Sequence, residues 1–165
     1  AYRRIYEQYE PLMRIHRDIG HQMPEALRAA AEIVLNSGLR RAFGRDDLDL
    51  DRIWGLLEEA RALGVNLDEA LLGYTLSGTL ERRAARWQET PFDYPAVDAV
   101  YTAAALVHGL PFQVNLWRVQ NALWAVQEEH LDRIRQAAEG GDPHARQWVP
   151  RLHAIAGLLG IRPRL

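Results

Sequence analysis

The chain has 165 residues, is 48% hydrophobic and 25% charged, and carries a net charge of -2 at neutral pH. That length suits one domain with a proper core, and the near-neutral balance supplies no global basic field to draw nucleic acid or acidic lipid. There is no cysteine, and all twenty cationic residues are arginine. Thiol catalysis, cysteine-based zinc or iron–sulfur sites, disulfides, Schiff-base lysines and a phosphate-loop lysine are thereby excluded.

Helical periodicity recurs along the whole chain, and no run alternates in the manner of a strand. A first helix is expected over about residues 2–19, with Tyr2, Ile5, Tyr6, Tyr9, Leu12, Met13 and His16 on one broad stripe and Gly20 ending it. Pro24 opens a second helix through Leu27, Ala30, Ala31, Val34 and Leu35, which Asn36-Ser37-Gly38 should stop or bend. After a short basic piece, the acidic cap region Asp46–Asp51 starts a third helix. It turns Leu50, Ile53, Trp54, Leu57 and Ala60 inward and closes at Gly64.

Asn66 then caps a long fourth helix that is apolar on two sides, Leu67, Leu71 and Tyr74 against Leu72, Leu76 and Leu80. Its small residues Gly73, Ser77, Gly78 and Thr79 permit close helix approach, and it is expected at the centre of a bundle. Its basic group Arg82, Arg83 and Arg86, beside Glu81 and Glu89, reads as a solvated face. Pro95 opens a fifth helix, a sixth follows Pro111 and ends at Gly140-Gly141, and Asp142-Pro143 starts a seventh with Trp148, Leu152, Ile155 and Leu159 inward. The expected architecture is an all-α, single-domain bundle of about seven helices over residues 1–165. No apolar run of about 18 residues or more is present and no signal-peptide core precedes the first helix, so neither a membrane span nor a membrane partner is expected, and a cytoplasmic location is.

The sixth helix carries the most information. It places Trp117, Gln120, Asn121, Trp124, Gln127 and Glu128 on one side, while Leu116, Val119, Leu123, Val126 and Ile134 form an apolar stripe. Arg118, Glu129, Asp132 and Arg133 suit a wet face. Indole faces stack on the CH faces of sugars, and carboxamides both donate to and accept from hydroxyls. Trp117, Gln120, Asn121 and Trp124 are therefore the candidate site, for carbohydrate binding or for domain packing. The competing reading makes the indoles core anchors and the amides partners of helix ends.

Two stretches are more specific than generic helix. MPEALRAAAEIVLNSGLRRAF (23–43) and PFQVNLWRVQNALW (111–124) resemble a bacterial helical domain found C-terminal to the catalytic barrel in family-57-type glycoside hydrolases, the α-amylase/α-mannosidase-like enzymes. The likeness extends loosely over most of the chain, through PLMRIHRDIGHQMP and VNLDEALLGYTLSGTLERR. It implies an accessory domain, a C-terminal fragment of a longer protein. Its partners would be the barrel of the same parent protein and an α-glucan or other oligosaccharide, with neither nucleic acid nor cofactor. In that family the catalytic carboxylates sit on the barrel, so no catalytic residue is carried over and no catalysis is expected from this chain alone.

Other chemistry is sparse. His16 and His21 lie five apart across Gly20 rather than on one helical face, and the remaining histidines stand alone, so no metal site is expected. Glu128 and Asp132 are i, i+4 neighbours that would flank rather than straddle a sugar, and read as solvated. The tyrosine-rich edge of the first helix is either core or a surface that something else covers. A protein-interaction scaffold, or a binder using a pocket between helices, remain the other classes of function.

Overall fold

A computed structural model describes residues 1–161. These form seven α-helices and no strand: α1 (Tyr2–Asp18), α2 (Glu25–Phe43), α3 (Leu50–Leu63), α4 (Glu69–Glu89), α5 (Tyr94–His108), α6 (Trp117–Glu139) and α7 (Pro143–Leu158). The all-α expectation holds. The chain forms two compact units, Ala1–Thr75 and Leu76–Leu165.

In the first unit α1 packs on α2 and α3, and α2 on α3. Its core joins Tyr6 and Met13 of α1 to Ala31 and Leu35 of α2 and to Ala60 and Leu63 of α3. The Tyr6 hydroxyl donates to Glu59, so one aromatic ring is both packed and tied across helices. Gly64 closes α3 in the left-handed region at φ 62°, where the Val65 N–H reaches back to the Ala60 carbonyl at 2.9 Å.

Three expectations for this unit fail for physical reasons. Asn36-Ser37-Gly38 does not stop α2, which runs on to Phe43. The Asn36 amide instead donates to the Asn66 carbonyl at 2.9 Å, and its oxygen accepts the Asp68 N–H at 2.7 Å. Gly38 is buried where a Cβ would stand 3.4 Å from the end of Leu56, an ordinary contact, so the helix tolerates this position without interruption. Asn66 is correspondingly not the cap of α4; Asp68 is, accepting the Leu71 N–H at 3.1 Å. On α3, Ile53, Leu57 and Ala60 are buried as expected, but Trp54 faces solvent, as do Leu71 and Tyr74 on the second apolar side of α4.

In the second unit α7 packs against both α5 and α6. Asp142 caps α7 by accepting the His144 N–H at 2.9 Å, with Pro143 at the first helical position. Trp148, Leu152, Ile155 and Ala156 are buried, and the Trp148 indole N–H donates to the Pro91 carbonyl at 2.8 Å. Its ring lies 6.1 Å from that of Trp87, also fully buried. Arg151 joins α7 to α5 through Asp98 at 2.7 Å and lies 4.0 Å above the Tyr101 ring. The Arg82/Arg83/Arg86 group is not uniformly solvated: Arg83 is buried and donates to the Ala99 carbonyl at 2.7 Å. No helix among the described residues is long and apolar enough to cross a membrane.

Candidate recognition face on α6

The start of α6 is built by short polar contacts. No acidic residue stands in its first turn, and the Trp117 N–H is met by the Asn115 Oδ1 at 3.0 Å. The Asn115 carbonyl accepts from Ser77 Oγ at 2.9 Å, and Arg118 pairs with Glu81 at 3.2 Å. These contacts set the azimuth of the first turn, and with it the direction of Trp117. None of these four residues, Ser77, Glu81, Asn115 and Arg118, is singled out from sequence for this role. The readable signal was Asn115, a capping residue type two positions before the helix.

From there the 3.6-residue repeat divides the predicted face into two strips. Trp117, Asn121, Trp124 and Glu128 fall within one narrow sector and are all exposed, Trp117 at 64% and Trp124 at 50%. Gln120 and Gln127 fall on its flank and turn inward. Gln120 is half-buried and donates through Nε2 to the Leu159 carbonyl at 2.9 Å, at the C-terminal cap of α7. Gln127 is 2% exposed, and neither its Nε2 nor its Oε1 has a hydrogen-bond partner. The opposite face, Val119, Ala122, Leu123, Val126 and Ile134, is core.

Of the four candidate residues, Trp117, Asn121 and Trp124 thus stand together on the surface, while Gln120 works inside its own unit. The two indoles are seven residues, or two turns, apart, which is about 10.5 Å along the axis. Asn121 stands between them. The result is an aromatic–amide–aromatic strip that can stack on two separated apolar faces and exchange hydrogen bonds between them. Further along, Phe92 meets His130 edge-on at 5.6 Å, and the Arg133 guanidinium lies 5.1 Å from the Phe92 ring.

The strip lies on the exposed side of α6. A crevice of the second unit, lined by Phe92, Ile134, His144 and Trp148, holds only about 50 Å³, room for a water or two. In the first unit an open groove of about 600 Å³ runs past Gln22, Glu25, Arg28 and Glu32, with none of the candidate residues on it. Glu128 and Asp132 are both exposed. Among the described residues, no three of His, Asp or Glu converge to hold a metal ion.

No protein-family model matches the chain, and comparison with curated proteins and with solved structures yields no match.

Proposed function

We propose that this chain is a non-catalytic helical recognition domain whose α6 strip, Trp117, Asn121 and Trp124, stacks on and hydrogen-bonds to carbohydrate. The observation carrying this reading is the exposure of both indoles on one helical sector around an exposed carboxamide. Two other tryptophans of the chain, Trp87 and Trp148, are fully buried and form core. Large aromatics left in water beside a hydrogen-bonding group mark contact surfaces more often than they mark packing.

The wider setting rests on the resemblance of residues 23–43 and 111–124. In it the chain is the accessory domain of a family-57-like glycoside hydrolase, packs on the barrel and shapes the cleft for an α-glucan or related oligosaccharide. Chemistry would then belong to the barrel, and this domain would contribute affinity and orientation. A second reading, a helical scaffold that meets other proteins, is favoured by the apolar side of α1 that faces solvent.

Titration with maltooligosaccharides, followed by tryptophan fluorescence, separates the two. Two stacked indoles and one amide are worth roughly 4 kcal/mol, so a saturable change is expected in the millimolar range. It should vanish in Trp117→Ala and Trp124→Ala. No response up to tens of millimolar sugar would remove the carbohydrate reading and leave the scaffold.

A further inference from the structure

Trp117 and Trp124 stand at a fixed separation, because both belong to one uninterrupted helix whose opposite face, Val119, Leu123 and Val126, is buried. Seven residues carry the chain about 10.5 Å along the α6 axis and return it to within about 20° of the same azimuth. The two indoles therefore start from one straight line along the helix. Asn121 stands about 6 Å beyond Trp117 and about 4.5 Å before Trp124, to one side of that line. All three are exposed, and the Trp117 end is fixed further by the bond from its N–H to Asn115 Oδ1 at 3.0 Å.

This spacing selects a ligand by length. One pyranose residue advances a 1,4-linked chain by about half the separation of the two indoles. A single ring cannot cover both, and the second ring of a disaccharide falls short of the second indole. Alternate residues of a longer chain meet both, and the residue between them presents its hydroxyls to Asn121. Resting on the carbohydrate reading of this strip, we propose that its ligand class is a linear 1,4-linked glucan of at least three residues. The outer two of the three stack on Trp117 and Trp124, and the middle one hydrogen-bonds with Asn121. Mono- and disaccharides engage one indole at a time. A trisaccharide makes the second stacking contact intramolecular, which multiplies affinity without a new type of contact. Further residues run past the strip and add only the statistical advantage of more registers.

Titrating the 165-residue chain with glucose, maltose, maltotriose and maltohexaose, read by tryptophan fluorescence, tests the length requirement. Affinity should rise at least tenfold from maltose to maltotriose, and by less than about threefold from maltotriose to maltohexaose. Trp117→Ala and Trp124→Ala should each remove the step, leaving maltotriose no tighter than maltose. Asn121→Ala should weaken maltotriose severalfold and maltose less. These side chains are exposed, so helical circular dichroism should match the parent, and the parent series decides the question even if a variant fails to fold. Equal affinity for maltose and maltotriose would overturn the length requirement and leave the carbohydrate reading standing, as would a step that survives the loss of either indole. No response to any of the four sugars would remove both.

Discussion

Gln120 and Gln127 are the same residue type on the same flank of α6, two turns apart, and they should respond to the same substitution with opposite sign. In Gln127→Met the unbranched side chain keeps nearly the same volume and helix propensity while the buried amide is removed. Both amide atoms lack partners at 2% exposure. Burying such a group costs about 1–3 kcal/mol, so the variant should gain that amount. With an ordinary urea dependence, its unfolding midpoint should rise by roughly 1 M.

Gln120→Met removes the 2.9 Å bond to the Leu159 carbonyl and leaves a helix-end acceptor of α7 without that donor. The loss should be about 0.5–1.5 kcal/mol. Urea titration at 222 nm on the two variants and the parent decides the matter. A Gln127→Met chain less stable than the parent by over about 1 kcal/mol would refute the reasoning, as would two variants moving together. Either result would mean that the flank is one polar network, not one bond and one orphan.

Four further outcomes follow from the first unit. Burial, then the hydrogen bond to Glu59 and the charges of Glu59 and Glu10, holds the Tyr6 hydroxyl well above the ordinary tyrosine range. The unfolded chain ionises this group near pH 10 while the folded one keeps its proton, so the contribution is full below about pH 10 and lost as pH rises beyond it. Tyr6→Phe should cost about 1–3 kcal/mol at neutral pH and flatten the fall of the melting temperature between pH 9 and 12. Asn36→Ala, which removes both links to residues 66–68, should cost about 2 kcal/mol in urea titration. Gly38→Ala should be neutral or stabilising by about 0.5–1 kcal/mol, because the added methyl meets only the end of Leu56 and the backbone is helical. Gly64→Ala, at φ 62° with open space around it, should instead lose about 1–2 kcal/mol from backbone strain alone.

Helix number and most helix ends were legible because caps and periodicity agree: Asp49, Gly64 and Asp142-Pro143 stand where their local chemistry requires. The composition of Asn36-Ser37-Gly38 argues for a stop, and tertiary contacts override it, since the Asn36 carboxamide ties the α2 interior to residues 66–68. Trp54 and Trp87 show the limit of reading burial from a stripe. Trp54 sits in an apolar pattern and is exposed, while Trp87 sits in a polar, arginine-rich stretch and is fully buried. The α6 face was visible as a strip of tryptophans and amides, but its division was not. Trp117, Asn121 and Trp124 share a sector within about 60° and Gln120 lies beyond its edge, a difference that matters only once α7 presents the Leu159 carbonyl. Arg83 reads as solvated from sequence because its partner, the Ala99 carbonyl, is a backbone group that side-chain patterns do not mark.

Under the proposed function two particular indoles, those of Trp117 and Trp124, meet sugar. The five tryptophans each give one indole N–H resonance in a ¹⁵N correlation spectrum, assignable by single Trp→Phe variants. On adding maltohexaose, the resonances of Trp117 and Trp124 should shift together along one saturable curve. Those of buried Trp87 and Trp148 and of exposed Trp54 should stay in place. A shift confined to Trp54, or no shift at any indole with tens of millimolar sugar, would contradict the assignment of the α6 strip to carbohydrate.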